Sequence, residues 1–96
     1  NMEKIKEITL YEVKDKDGTS WDKIHVESDG SLNLDSFDCG TRPEMFFGGD
    51  YERDIYVDAE WKDSILLLLL KERFKTIGNL RTWADEKGIP LIVVVR

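Results

Sequence analysis

The residues that could carry chemistry are few in this 96-residue chain, which has one histidine, His25, and one cysteine, Cys39. A nucleophile or general base needs a matched side chain within reach, and the sequence around His25 offers none. Cys39 would be reactive beside a helix N-terminus, whereas a lone cysteine is more often a small buried hydrophobe. We therefore predict a non-enzyme. The alternative is a small enzyme or ligand-binding domain that uses His25, Cys39 or a carboxylate pair.

Carboxylate pairs such as Glu52/Asp54 and Asp85/Glu86 are frequent in the sequence. Acid–base catalysis by such a pair needs a cleft that separates the two pKa values, and a solvated strand face is the simpler interpretation. Asp15–Gly18 resembles the start of a calcium loop but lacks the later ligands, so it indicates a turn. We expect no metal and no cofactor.

The net charge of −6 is distributed unevenly. Residues 1–60 carry 16 acids and 7 bases, a net charge of −9, whereas residues 61–96 carry 4 acids and 7 bases, a net charge of +3. An acidic surface repels phosphate, so we expect no direct nucleic-acid binding and a protein partner with a basic surface. The apolar run Ile65–Leu70 is far shorter than the ~20 residues that span a membrane. No signal segment is evident, and with no disulfide to form the chain is expected to be cytoplasmic.

The first 35 residues have the pattern of an antiparallel meander. Ile8–Val13 and Trp21–Val26 are rich in β-branched and aromatic residues, and Ser31–Asp35 alternates polar and apolar positions. These features predict three strands. Turn-forming residues separate them at Asp15–Gly18 and at Ser28–Gly30.

A fourth strand is predicted at Tyr51–Val57. One of its faces would carry Glu52, Asp54 and Tyr56, and Asp58 follows in the same phase. Because these side chains are mostly acidic, this face should meet solvent or a partner.

Two helices are predicted after this strand. The first runs from about Ala59 to Lys75 with Asp58 as its N-cap, and the second is capped by Asn79 and runs to Lys87. Leu91–Val95 indicates a buried fifth strand. It would run parallel to Tyr51–Val57 if the chain only kinks between the helices, and antiparallel if the helices form a hairpin.

The predicted fold class is α+β. We expect a single domain over residues 1–96, with a four- or five-stranded mainly antiparallel sheet and two helices packed on one face. The predicted core consists of Ile8, Leu10, Leu32, Leu34, Ile55, Val57, Ile65, Leu66, Leu69, Leu70, Trp83, Ile89, Ile92 and Val94.

Several segments resemble a loose group of small acidic bacterial proteins that have no established activity. They are Asp29–Leu34, Asp38–Gly40, Glu44–Gly48, Tyr51–Val57, Leu67–Phe74 and Trp83–Pro90. The resemblance covers about residues 29–96 and implies the same fold. It implies no active site.

The function predicted from these observations is a non-catalytic interaction protein, such as an immunity- or inhibitor-type binder of a basic partner. The expected contact residues are Glu52, Asp54, Tyr56 and Asp58, with Phe46 as an apolar anchor. A nucleic-acid mimic is a further alternative, and it would need acids spaced along an extended surface. The leucine-rich helix suggests a homodimer, because one sheet face cannot cover five consecutive leucines.

Overall fold

The computed structural model describes residues 3–40 and 51–96 of the chain. Four strands precede two helices, in the order β1 (Glu7–Asp15), β2 (Gly18–Val26), β3 (Leu32–Gly40), β4 (Tyr51–Val57), α1 (Ala59–Arg73) and α2 (Ile77–Glu86). The predicted α+β class is confirmed, with a four-stranded antiparallel sheet and two helices. The packing of the helices on the sheet stays a prediction. Phe46 lies outside the described residues.

The sheet is a meander in which sequential strands are neighbours, in the order β1-β2-β3-β4. At the β1–β2 turn the backbone N–H of Asp17 donates to Asp15 Oδ1 at 2.8 Å. Gly18 then adopts a φ of 138°, and a Cβ at this position would collide with the carbonyl oxygen of Cys39 on β3. Only glycine meets both conditions, so this residue permits the close pairing of β2 with β3.

Alternation of side chains along the paired strands gives the sheet two chemically different faces. The apolar face carries at one end Ile8, Leu10, Ile24, Val26, Leu32, Leu34, Ile55 and Val57. Towards its other end it also carries Tyr11, Val13, Ser20, Asp22, Ser36, Asp38 and Arg53. The acidic face comprises Glu7, Trp21, Lys23, His25, Asn33, Asp35, Phe37, Glu52, Asp54 and Tyr56.

A bulge in β1 preserves this separation. The register shifts between Thr9 and Tyr11, so Leu10 is an extra residue on β1. Leu10 lines a shallow groove together with Ile24 and Ile55, which places it on the apolar face.

The chain forms two compact units. One is Ile5–Lys62, which contains the sheet and the start of α1, and the other consists mainly of Asp63–Arg96. Within the first unit, the β2–β3 turn lies beside the start of α1, since a Cβ at Gly30 would be 3.5 Å from the Cβ of Ala59. The single-domain assignment stays a prediction.

The start of α2 differs from the prediction. Thr76, not Asn79, is the N-cap: its Oγ1 accepts a hydrogen bond from the Asn79 backbone N–H at 3.0 Å. Threonine and asparagine are both favoured at the N-cap position. Here Thr76, three residues before Asn79, occupies it.

The end of α2 agrees with the sequence pattern, because Gly88 has a left-handed φ of 74°. The N–H groups of Gly88 and Ile89 donate to the carbonyls of Asp85 and Ala84, the two bonds of a Schellman motif. Phe74 packs edge-on against Trp83, with ring centroids 5.6 Å apart.

The predicted fifth strand at Leu91–Val95 is wrong. This segment has no regular secondary structure, and Leu91–Val94 instead line a groove with Ile77, Leu80 and Arg81 of α2. A strand exists through hydrogen bonds to a neighbouring strand, and an apolar β-branched sequence does not supply that neighbour.

The predicted core is also largely wrong. Leu10, Leu66, Leu69, Ile92 and Val94 are each more than half exposed, as is Ile8, and Ile55 is nearly so. Leu32, Leu34, Val57, Ile65, Leu70, Trp83 and Ile89 are half-buried. Among the described residues only one apolar side chain, Ala84, is buried. An apolar pattern indicates a surface whose burial is favourable, but it does not show whether the segment that buries it belongs to the same chain.

Neither helix has the length and hydropathy that a membrane-spanning helix needs, and this holds for all the described residues.

Replacing Thr76 by alanine should reduce the free energy of unfolding by about 0.5–2 kcal/mol, because it removes the acceptor for the Asn79 N–H. Urea denaturation followed by circular dichroism measures this loss. The matched control is Thr82→Ala, which changes an exposed threonine within the same helix. Equal losses from the two variants would contradict the capping role of Thr76.

Candidate functional site: the acidic face of the sheet

Antiparallel pairing places the polar residues of four strands in adjacent rows on the acidic face. In one row Glu7, His25, Asn33 and Tyr56 lie opposite one another from β1 to β4. In the next row, Lys23, Asp35 and Asp54 are paired in the same way. Residues that are distant in sequence therefore become neighbours, since paired Cβ atoms lie ~4.5–5.5 Å apart.

An aromatic pair adjoins these rows. The rings of Trp21 and Phe37 stack with centroids 5.3 Å apart and an angle of 24° between their planes. The ammonium of Lys23 lies 4.6 Å from the centroid of the Trp21 ring, which is within the range of a cation–π interaction. Both rings are half-buried. The face thus offers an aromatic surface that already accommodates one cation.

His25 lies between two carboxylates. Its Nδ1 is 3.6 Å from Glu7 Oε1, and its Nε2 is 3.8 Å from Asp35 Oδ2. When the imidazole is protonated, both contacts are ion pairs. One third of the His25 side chain is exposed, so these pairs are open to solvent and to salt.

Asp35 is the least exposed carboxylate of the acidic face. Its side chain is only 15% exposed, and its Oδ1 is buried without a hydrogen-bond partner among the described residues. Burial raises the pKa of Asp35 above its ordinary value, and repulsion from the carboxylate of Asp54 raises the pKa further. Nearby, the amide of Asn33 donates to Asp54 Oδ1 at 3.2 Å and holds that carboxylate in place.

Three carboxylates converge at this point. Asp35, Glu52 and Asp54 each have an oxygen within 4.8 Å of the other two. Such a group attracts cations, whether a metal ion or the guanidinium or ammonium of another protein. Asp35 is half-buried and the other two are exposed, so the group is open on one side.

The predicted contact residues are partly brought together. Glu52, Asp54 and Tyr56 are exposed neighbours on the acidic face, as the alternation predicted. Asp58 lies beyond the end of β4, and its carbonyl accepts a hydrogen bond from the Trp61 N–H at the start of α1.

Of the residues in the enzyme alternative, the carboxylates Glu52 and Asp54 lie close together, whereas His25 and Cys39 are far apart. On the paired strands, His25 and Cys39 are separated by six residue positions. At ~3.3 Å per residue this is about 20 Å. The thiol and the imidazole therefore do not form a nucleophile–base pair.

Four further members of this face were not predicted from the sequence: Asp35, Asn33, Trp21 and Phe37. The signal was present for two of them, because Asn33 and Asp35 occupy the polar positions of the alternating segment Ser31–Asp35. What the sequence could not provide was the register that sets Asp35 opposite Asp54.

Comparison with protein families, with curated proteins and with solved structures gives no match to this chain. The resemblance to small acidic bacterial proteins stays a prediction.

Replacing Asp54 by asparagine should lower the pKa of Asp35, because the substitution removes a neighbouring negative charge. The side-chain carbonyl of the introduced amide can still accept from Asn33, so the local geometry is retained. Carboxyl-carbon NMR titration measures the change, and Asp22→Asn on the opposite face is the matched control. An unchanged Asp35 pKa in D54N would rule out the proposed repulsion.

Replacing Asp35 by asparagine should stabilise the protein increasingly as the pH rises. The pKa of Asp35 is raised in the folded state, so the folded protein binds the proton more tightly than the unfolded chain does. This contribution to stability is fully present below the unfolded pKa and is lost as the pH rises through the folded pKa. Urea denaturation at a series of pH values should show the D35N-minus-wild-type difference growing with pH; a constant difference would contradict it.

Proposed function

We propose that this protein is a non-catalytic interaction domain whose acidic face binds a protein partner with a basic surface. One observation supports this function above all: clustered carboxylates and a stacked aromatic pair lie side by side on one open sheet face. Carboxylates accept hydrogen bonds from arginine and lysine, and aromatic rings attract the same cations through their faces.

The acidic face has the composition of a binding surface. Trp21 and Phe37 supply rigid apolar area, and Tyr56 is 65% exposed nearby. Aromatic residues and arginine dominate the binding energy of most interfaces. A basic partner would also relieve the repulsion between Asp35 and Asp54, because its positive charge would stabilise both ionised carboxylates.

The alternatives receive less support. A small enzyme or ligand-binding domain would use His25, Cys39 or a carboxylate pair, and the ~20 Å between His25 and Cys39 disfavours their acting together. The clustered carboxylates of the acidic face serve the proposed binding function as well as they would serve catalysis. A nucleic-acid mimic needs acids spread along an extended surface, whereas Asp35, Glu52 and Asp54 are concentrated at one place. An immunity- or inhibitor-type role is consistent with the charge of residues 1–60 and remains part of this proposal. So does a cytoplasmic location, which was expected from the single cysteine and from the lack of an evident signal segment.

The proposal is tested with an arginine- and lysine-rich peptide as the probe and an acidic peptide of equal length as its counterpart. Amide NMR spectra should shift for residues of the acidic face with the basic peptide only. Binding should weaken as salt is added, because the attraction between opposite charges is screened.

Asp54→Lys should reduce the affinity for the basic peptide by about tenfold, because it places a repulsive charge in the centre of the carboxylate group. The matched control is Asp17→Lys, which makes the same charge change at the exposed β1–β2 turn. Equal losses in the two variants would show that only net charge matters and would contradict the proposal. Shifts at Asp35, Glu52 and Asp54 with Ca²⁺ but not with the peptide would identify a metal site instead.

A further inference from the structure

The aromatic pair of the acidic face belongs to a row that has a carboxylate at each end. From β1 to β4, the residues that lie opposite one another in this row are Glu12, Trp21, Phe37 and Glu52. Because the two rings stack between neighbouring strands, the stack runs across the sheet. One face of each ring contacts the other ring, and the second face is directed away from it. The stack therefore has a Trp21 end towards β1 and a Phe37 end towards β4.

The Trp21 ring already binds a cation of the same chain. The ammonium of Lys23 lies over this ring, 4.6 Å from its centroid. Lys23 is also opposite Asp35 in the pairing of β2 with β3, and its positive charge lowers the pKa of that carboxyl against the effect of burial. A positive group on this surface is thus held by a ring and a carboxylate together. Lys23 shows how the acidic face binds a cation.

The Phe37 end has the same two components but no cation of its own. Among the described residues, no basic side chain lies over the Phe37 ring. Glu52 is directly opposite Phe37 on β4. An oxygen of Glu52 lies within 4.8 Å of oxygens of Asp35 and Asp54, which belong to the next row. This end of the stack therefore combines an aromatic ring with three converging carboxylates.

We infer that the Phe37 end of the stack is the anchor site for an arginine side chain of the basic partner, an inference that rests on the proposed function. The guanidinium lies flat on the ring of Phe37, and its N–H groups donate to the carboxylates of Glu52 and Asp54. The half-buried ring is held by its stack with Trp21, so little order has to be imposed when the arginine binds.

The arrangement of ring and carboxylates favours arginine over lysine. A guanidinium is planar, stacks on aromatic rings and carries its N–H donors in a fixed fork, whereas an ammonium is a compact and strongly hydrated point charge. The oxygens of Asp35, Glu52 and Asp54 lie within 4.8 Å of one another, so separate N–H groups of one guanidinium can reach more than one carboxylate. A lysine on Phe37 would keep more of its hydration and would gain no planar stacking.

A metal ion is another cation that three carboxylates attract, and the ring distinguishes the two ligands. Ca²⁺ in proteins takes ~6–8 oxygen ligands, more than three carboxylates on an open face supply. Glu52 and Asp54 are both exposed, so this group does not enclose an ion. A hydrated metal ion would also make no use of the adjacent Phe37.

Three peptides of equal length test the inference. At the same positions they carry arginine, lysine or citrulline, which is the uncharged analogue of arginine. Amide NMR titrations of the full chain measure the three affinities. The arginine peptide should bind about threefold or more tighter than the lysine peptide, because stacking on the ring adds to the charge attraction that both share. The citrulline peptide should bind most weakly, because it lacks that attraction.

Phe37→Leu removes the ring and keeps an apolar side chain. This variant should bind the arginine peptide more weakly and lose its preference over the lysine peptide, while its affinity for the lysine peptide changes little. The matched control is Tyr11→Leu, which removes an exposed aromatic ring from the opposite face of the sheet. It should keep the arginine preference of the wild type. Circular dichroism verifies that both variants are folded.

A measurement on the wild-type chain makes the test independent of how F37L folds. The δ-methylene protons of a bound arginine lie against the face of the ring. They should therefore shift upfield and show nuclear Overhauser effects to the ring protons of Phe37. Bound lysine side chains should show neither signal at this ring.

Equal affinities for the arginine and lysine peptides would overturn the inference and would leave the proposed basic partner in place. An arginine preference that persists in F37L, or that is lost equally in Y11L, would overturn it too. If no basic peptide binds, the proposed function fails, and this inference fails with it. Shifts at the three carboxylates with Ca²⁺ but not with the arginine peptide would identify a metal site instead.

Discussion

The two-residue periodicity of the paired strands is the constraint on which the rest of this structure depends. Because neighbouring strands are locked in register by their backbone hydrogen bonds, each side chain is assigned to one face and to one row. The same pairing that gathers Ile24, Leu34 and Ile55 on one side gathers Asp35 and Asp54 on the other. The apolar and the acidic surfaces are therefore two products of a single backbone arrangement.

Much of this arrangement could be predicted from the sequence. The positions of the four strands, the turns at Asp15–Gly18 and Ser28–Gly30, the two helices and the left-handed Gly88 follow from short-range patterns. The placement of Glu52, Asp54 and Tyr56 on one face follows from alternation alone. These features depend on nearest neighbours in the chain, which the sequence displays directly.

The errors concern partners that are distant in sequence. Leu91–Val95 has the composition of a strand, but composition does not reveal whether another strand is available to pair with it. The apolar pattern places Ile8, Leu10 and Ile55 on one face, yet it does not show that their own chain leaves them exposed. Asp35 was not predicted as a site residue because its burial and its proximity to Asp54, 19 positions further along the chain, both depend on strand pairing. In each case the missing information is a long-range contact.

The acidic face also lowers the stability of the folded protein while Asp35 is ionised. Asp35 is held close to Asp54 in a half-buried position, where water can screen their repulsion only in part. Surfaces that bind charged partners commonly keep such repulsion, because binding removes it. Under the proposed function, a bound basic partner would offset the repulsion that the free protein retains.

The bulge at Leu10 has a consequence for how this chain tolerates change. It adds one residue to β1 without transferring the following side chains to the wrong side of the sheet. Elsewhere in the paired strands, an insertion or deletion of a single residue would move the apolar side chains of the rest of that strand to the acidic face and the charged ones to the apolar face. Length variation is therefore expected to be confined to this position and to the loops, whereas point substitutions that keep the character of each face leave the register unchanged.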